Sequence, residues 1–461
     1  MVDFYLVHPL SYRMIQAITR EYTLEYVREI VMTSNHFDVV IVGGGLAGLS
    51  AAAYLSAHGK KVAVLERGAL GGRAVTLKIK GFHFNFGAHA IYGRDTSVLK
   101  TFEKELGLHI DWQDFNPNKA RYDLGDDLTA VPANVQGLFR TKLVKGFDKV
   151  LFTFEILKTM LKMETGHPHL SIQKWMEKQN ISEDVQEMML TLASSNFFTR
   201  EPERIPSDVF FAYYRRIFTT NKPVAYIGGG WQALIDEFVR VIEANNGTVL
   251  TKTKVESFRV EDAKVVAAVT AEAEYTGDEF ISCIPPKEMV KAFKDTKLEH
   301  AIAQYASYDP TVVVVYDVGL KERLDVPYTY IYDKHNNIFI TDISYYDKSC
   351  VPEGGQLLQA TAYLRQSEVG DKEMIDKRKE EIEQLYDKHF AGWREQLVVP
   401  RVSTRAIVQE IKWTMNQGPM PISLPDYRNL FFAGDWCEGQ GQLSELSFSS
   451  AYEVSKLVLS K

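Results

Sequence analysis

Apolar residues fall into two rhythms along this chain. Phe37-Asp38-Val39-Val40-Ile41-Val42 is a short β-branched run ending at glycines, the pattern of a buried parallel strand. Ala51, Ala52, Ala53 and Leu55 carry the helix that follows, which stops near His58-Gly59, and Lys61-Val62-Ala63-Val64-Leu65-Glu66 is a second apolar strand. Strand, helix and strand within about 30 residues make a βαβ unit with a right-handed crossover. Phe82-His83-Phe84 and Ala120-Arg121-Tyr122 predict strands of a different, more polar sheet, and helical periods run over 138–163 and 171–196. Three glycines at 228–230 lead into a helix from Trp231 to Asn245. Thr248 to Leu250 and Lys254 to Arg259 predict a strand pair, and Glu279 to Ile284 a strand ended by Pro285-Pro286. Thr311 to Val315 predicts another strand, and Met374 to His389 a charged amphipathic helix. Leu430-Phe431-Phe432-Ala433, a glycine turn and a helix from about Ser444 to Leu459 close the chain.

The glycines after the first strand narrow the chemistry. Gly43-Gly44-Gly45-Leu46-Ala47-Gly48 is a G-x-G-x-x-G with Ala52 four residues beyond. Gly43 permits the tight turn, Gly45 admits a pyrophosphate close to the backbone, and Gly48 and Ala52 let the helix pack on the sheet. The helix start, including Leu46 and Ala47, offers unpaired N–H groups and a positive dipole to phosphates. Glu66, 18 residues past Gly48 at the end of the next strand, is placed to bind ribose hydroxyls. Together these predict a dinucleotide site. Just after it come Arg67 and a second glycine turn, Gly71-Gly72-Arg73, and far away lies Phe432-Ala433-Gly434-Asp435. A nicotinamide cofactor has no need of that second site, whereas extended FAD does. Asp435 is placed to hold a ribityl or phosphate-linked hydroxyl, and the last helix to point its N-terminus at the flavin pyrimidine.

Composition bounds the rest. At 461 residues the chain exceeds one ordinary domain. Its 45% hydrophobic and 25% charged residues exclude wholesale disorder. A net charge of -7 excludes a dedicated nucleic-acid binder, and Cys283, Cys350 and Cys437 are too scattered for a disulfide framework or a metal site. No stretch is long enough to span a membrane, and no signal peptide precedes the fold, so a cytoplasmic protein is expected. Residues 1–31 carry a loose helical pattern ahead of Met32 and are expected to be an appendage, with Met32 the natural start.

The sequence resembles the flavin-dependent amine oxidase, phytoene desaturase and protoporphyrinogen oxidase superfamily. The match runs in order through Val40 to Ala52, Glu66, Gly71-Gly72-Arg73, Phe84-Asn85-Phe86-Gly87-Ala88-His89, Gly228-Gly229-Gly230, Val255, Ser282-Cys283-Ile284-Pro285 and Ala433-Gly434-Asp435. The resemblance implies an α/β fold: a Rossmann-like FAD-binding domain of the glutathione-reductase type with an interleaved α+β substrate domain. On the element pattern, the first takes 36–115, 225–290 and 400–461, and the second 116–224 and 291–399. It also implies Arg73 near the pyrophosphate, Val255 meeting the adenine through its backbone, and Asp435 at the ribityl-phosphate end.

Departures from the family pattern matter. Where relatives have Phe-x-Phe-Asp, the acidic slot here holds Asn85, which still hydrogen-bonds locally. Relatives present Gly-Ala before a Ser-Gly pair in the last helix; here Glu445-Leu446 precede Ser449-Ser450, so a carboxylate either turns away from the pyrimidine or lowers the flavin's potential. Monoamine oxidases carry a lysine on the strand behind flavin N5, a tyrosine pair and a flavin-linking cysteine. Thr311 to Val315 has no lysine, Trp413 to Pro421 no such pair, and Cys437 lies past the turn. FAD is therefore expected to be non-covalent.

The resulting expectation is hydride transfer from an apolar or polycyclic substrate to flavin N5, in the manner of phytoene desaturase. Amine or amino-acid C–N oxidation is the alternative. A flavin-free module of another class, akin to the Rab escort and dissociation-inhibitor proteins that bind prenylated partners, is the third reading. Intact Gly43, Gly45, Gly48, Glu66 and Asp435 argue against it. His89 and Trp436 are the catalytic candidates, each with an ordinary structural reading beside it, and Tyr452 joins Trp436 as a residue that could flank the substrate. Segment 138–163 interleaves apolar residues with Arg140, Lys142, Lys145, Lys149, Lys158 and Lys162, against only Asp148 and Glu155. It reads either as a packed helix or as peripheral contact with the inner face of a membrane, as at this point in relatives.

Overall fold

The structure, a computed structural model, describes residues 35–133 and 135–461. The segment 1–31 and Met32 lie outside the described residues. An eight-stranded sheet forms around strand His36–Val42, which runs parallel to Val62–Leu65 on one side and to Glu274–Ser282 on the other. Thr248–Leu250 extends one edge, and Tyr427–Phe432 pairs in parallel beyond Glu274–Ser282. Val39–Val42 and Val62–Leu65 at the centre of the sheet are buried on both faces, hence their unbroken apolar runs.

Six helices position the site: α1 (Leu46–Ala57), α2 (Val98–Leu106), α3 (Asp148–Met160), α4 (Ser207–Phe218), α5 (Gly230–Ala244) and α6 (Ser444–Leu459). Helix α1 is apolar all round, and every residue but its last is buried, as a central helix must be. α2, α5 and α6 pack with it on one face of the sheet, where Leu49, Phe102, Phe238 and Phe448 form a common core. A second, seven-stranded sheet runs in the order Leu397–Gln409, Thr311–Leu320, Gln356–Tyr363, Ile338–Asp342, Tyr330–Asp333, Ala120–Asp123, Leu128–Ala130.

Several expectations need correction. Phe82–Asn85 and Ala120–Asp123 belong to two different sheets, the former pairing only with Thr76–Ile79. Thr248–Leu250 and Val255–Glu261 are not a pair. The first joins Val62–Leu65; the second turns back through Asp262 and Ala263, both at positive φ, onto Lys264–Thr270. That hairpin lacks the glycine or asparagine that usually betrays such a turn. The 171–196 helix is two, Ile172–Lys178 and Glu183–Phe197, split where Asn180 takes a left-handed conformation. Leu397–Gln409 pairs with Thr311–Leu320 over its length, so 400–409 joins the second sheet and not the first.

Candidate functional site

The loop from strand His36–Val42 into α1 closes on itself. Gly43 sits at φ +108°, and a Cβ there would meet the Cys283 carbonyl oxygen at 2.9 Å; a Cβ on Gly48 would lie 1.9 Å from the Gly43 carbonyl oxygen. Only glycine fits either place. Gly45 precedes α1 with no side-chain cap, and the amides of Leu46, Ala47 and Gly48 have no partner among the described residues. A Cβ built on Gly45 would have only the Gly71 carbonyl oxygen near it, at 3.9 Å, so a ligand can come close to the backbone at the start of α1. The Gly71-Gly72-Arg73 turn docks onto this loop, the Gly71 N–H donating to the Gly44 carbonyl at 2.8 Å.

Arg73 then spans the two ends of the chain. Its Nη2 donates to Asp435 Oδ1 at 2.5 Å, its Nε lies 4.0 Å from Glu410 Oε1, and the Glu410 N–H donates to Asp435 Oδ2 at 3.2 Å. The two acids hold Arg73 charged against the cost of its burial, and burial pushes the Glu410 carboxyl above its usual range. Leu46, Gly71, Arg73, Asp435, Ser444 and Ser447 line one channel, so the glycine loop and the C-terminal turn face a single space. The start of α6 is also without a side-chain cap.

Glu66 spends its carboxylate on the loop itself: Oε2 accepts the Gly44 N–H and Oε1 the Gly68 N–H, each at 2.7 Å. The Thr253 N–H donates to its carbonyl at 2.8 Å, which brings the approach to Val255 alongside. Arg67 is exposed and lies 3.7 Å from Glu288. Glu66, Arg67 and Val255 do not line the channel. Gly72, at φ +62°, and Gly434, where a Cβ would strike the Trp436 indole at 2.4 Å, are glycines for steric reasons.

Beyond the channel lies a cavity of about 510 Å³. Gly87, Ala88 and Val408 line both spaces. Aromatic and aliphatic side chains dominate its wall, among them Tyr92, Tyr122, Phe198, Tyr214, Phe218 and Tyr330, and α3 contributes Ile156, Leu157 and Met160. Among the described residues, Asp317 is its only lining acid and Arg401 its only lining lysine or arginine. They are cross-strand neighbours and form a buried ion pair, with Arg401 Nε to Asp317 Oδ2 at 2.9 Å. Gln359 Nε2 donates to Asp317 Oδ2 at 3.0 Å and the Ala360 N–H to Oδ1 at 3.2 Å. Burial pushes this carboxyl up, against the pull of the Arg401 charge and of the donors on Gln359, Arg401 and the Ala360 backbone. His89 lines the same end. Burial, helped by Arg401, brings its imidazole down to about 4, against a hydrogen bond with the Gly87 carbonyl.

The family described as flavin containing amine oxidoreductase matches over residues 46–459. The chain belongs to this family. The family is one of flavin-containing oxidoreductases, and the cofactor is FAD. The 15-cis-phytoene desaturase of Synechococcus elongatus is 29% identical over 254 residues, covering 50% of this chain and 52% of that protein. The chain spans about half the length of the curated relatives it matches. An oxidoreductase from Methanosarcina mazei shares the fold at a TM-score of 0.77 with 19% identity, covering 91% of this chain and 99% of that one. Cyclohexylamine oxidase from Brevibacterium oxydans does so at 0.66 with 15% identity, covering 92% and 99%.

Measured against the family pattern, the departures resolve locally. Asn85 Oδ1 accepts the Trp231 N–H at 3.2 Å and the Thr76 hydroxyl at 2.7 Å, serving the start of α5. Glu445 turns to α2: it accepts the Val98 N–H at 3.0 Å and the Ser97 hydroxyl, takes Gln440 Nε2 at 2.8 Å, and lies 3.0 Å from Arg216 Nη1. It does not line the channel. Trp436 packs in the core on the other face of the sheet and does not border the cavity, and Tyr452 packs edge-on against Tyr54 and Phe102. Of His89 and Trp436, only His89 lines the cavity. Cys437 is fully buried with its thiol pushed well up, an inert packing residue.

Sequence reasoning missed Glu410, Asp317 and Arg401. Asp317 left a signal: a lone charge inside Val312-Val313-Val314-Val315-Tyr316-Asp317-Val318, a strand otherwise apolar on both faces. Glu410 and Arg401 left none, since alternating polar positions along Leu397–Gln409 look like any half-exposed strand.

Proposed function

We propose that this flavoprotein dehydrogenates an apolar or polycyclic substrate, with a hydride passing from a substrate carbon to flavin N5. The observation that carries the reading is the cavity itself, whose largely aromatic wall shares Gly87, Ala88 and Val408 with the channel. When bound, FAD supplies the hydride acceptor. The uncapped amides of Leu46, Ala47 and Gly48 suit the pyrophosphate, Arg73 adds charge beside them, and Asp435 and the start of α6 suit the ribityl and pyrimidine end. The aromatic wall orients the substrate and excludes water. Similarity to phytoene desaturases supports the same reading. An ammonium ion would find no free carboxylate in the cavity, because Asp317 is committed to Arg401, Gln359 and Ala360. That places amine oxidation second.

The test is anaerobic bleaching of the purified holoprotein with carotenoid precursors, porphyrinogens and amines. Bleaching by the apolar compounds and not by amines is expected; the reverse result would hand the function to C–N oxidation. Acid precipitation is expected to release the flavin, as non-covalent binding requires.

We further propose peripheral contact with a lipid surface at the cavity mouth. The 138–163 segment is not one helix. Gly146 at φ +50° and fully buried Val144 break it into Val135–Arg140 and α3. Three of its cations serve the protein itself: Lys142 pairs with Asp127, Lys149 with the Phe139 carbonyl, and Lys158 with Glu155. What remains is three exposed cations, Arg140, Lys145 and Lys162, set among exposed apolar side chains. Phe139, Phe147, Leu161 and Met163 are each about 70% exposed, and Phe154 more than half. These residues surround the α3 side chains that line the cavity. Among the described residues no helix is long and apolar enough to cross a membrane. Flotation with anionic vesicles checks the proposal: the Phe147→Ser/Phe154→Ser double variant is expected to lose it, and undiminished flotation would refute it.

A further inference from the structure

The polar end of the cavity does not match a pure hydrocarbon. Asp317 and Arg401 are both at least nine-tenths buried, and a buried ion pair is commonly no more stable than apolar residues of the same volume. The pair therefore asks for another reason to be there. Asp317 has every oxygen occupied. Arg401 does not: Nε and Nη2 are used on Asp317 and the Asn85 carbonyl, while Nη1 has no hydrogen-bond partner among the described residues. The guanidinium carbon lies over the Phe86 ring, 4.2 Å from its centre, and the bonds to Asp317 fix its other side. His89 lines the same cavity and feels the Arg401 charge. Its Nδ1 lies 3.2 Å from the Gly87 carbonyl, so that nitrogen carries the hydrogen and Nε2 is left as an acceptor.

The set is thus one free donor on Arg401 and two free acceptors, His89 Nε2 and the buried Gln359 Oε1, neutral in sum because Asp317 balances Arg401. A carboxylate would bring an unbalanced negative charge into a buried site, and an ammonium would face the guanidinium. A carbonyl would satisfy Arg401 and leave His89 unpaired. A hydroxyl satisfies both. Further along the wall, the hydroxyls of Tyr92 and Tyr330 also have no hydrogen-bond partner among the described residues, so a second polar substituent could be met there. We propose that Arg401 and His89 form a recognition subsite for a neutral hydroxyl group on an otherwise apolar substrate. The inference rests on the apolar-cavity reading above and specifies the substrate class within it.

Farnesol, farnesene, farnesoic acid and farnesylamine present one skeleton with four end groups. Each is titrated into the anaerobic holoprotein, and the perturbation of the flavin absorption spectrum gives its affinity. Farnesol is expected to bind about tenfold more tightly than farnesene, with the acid and the amine weaker than the alcohol. In His89→Phe the preference for the alcohol should fall to within about twofold while farnesene is unchanged. Arg401→Gln combined with Asp317→Asn, which removes both charges together, is the second variant and should behave alike. Equal binding of farnesol and farnesene by the unaltered protein, or a preference that survives His89→Phe, would overturn the subsite and leave the apolar cavity standing. If neither compound perturbs the flavin, the cavity reading falls and the subsite with it.

Discussion

The glycine loop at Gly43–Gly48 and the cavity around Tyr92 and Tyr330 both present polar atoms to a ligand, but from different sources. In the loop the donors are backbone amides, fixed by turns that admit no side chain. In the cavity they are side-chain groups, Arg401, His89 and tyrosine hydroxyls, standing on strands and helices drawn from widely separated parts of the chain. A site made of backbone tolerates almost no substitution and serves one ligand. A site made of side chains can be altered one group at a time, which is how one fold comes to serve many substrates.

The sharpest break of that contrast is Gly48→Ala. Its methyl would stand 1.9 Å from the Gly43 carbonyl oxygen, so the loop must move, and the purified protein is expected to contain essentially no flavin by absorbance per polypeptide. Glu445→Ala comes next, acting between the two regions. It removes an acid that pairs with Arg216 of α4 and caps α2, leaving a buried guanidinium unpaired. A loss of about 3–5 kcal/mol in chemical denaturation is expected, and Glu445→Gln should lose less.

His89 gives a smaller effect with a defined pH window. Its unfolded-state value is the ordinary 6.5, and burial lowers it to about 4 in the folded protein. Between those values the unfolded chain binds the extra proton, so stability falls as pH drops from 6.5 toward 4 and is flat in this contribution outside that window. By pH 5 the loss is about 2 kcal/mol. His89→Phe should lack this part of the slope; a parallel profile would show that His89 titrates normally. Smallest of all is Tyr330→Phe. The hydroxyl has no partner to lose, so stability should shift by no more than about 0.5 kcal/mol, with any change confined to ligand affinity.

The dinucleotide half of the molecule was readable because its constraints are local. Gly43 turns at φ +108°, Gly48 is required by the Gly43 carbonyl five residues back, and Glu66 sits one βαβ unit away. The pairing of Arg73 with Asp435, 362 positions apart, could be expected only through resemblance. The cavity was opaque for the opposite reason. Its polar end joins Asn85, Asp317, Gln359 and Arg401 from four strands, and no spacing in the sequence records their meeting. The fold errors share that cause: Leu397–Gln409 took its sheet from its partner, and the split of 138–163 came from the burial of Val144.

The wall common to channel and cavity is built from Gly87 and Ala88, with Val408 beside them. With FAD held in the channel, a partition that thin would act as a spacer between cofactor and substrate. Each methyl added there, as in Ala88→Val, would then push the two apart by a fraction of their contact distance. The tunable clearance of this enzyme is therefore invested in its smallest residues, and reactivity can drift through them while both pockets keep their shape.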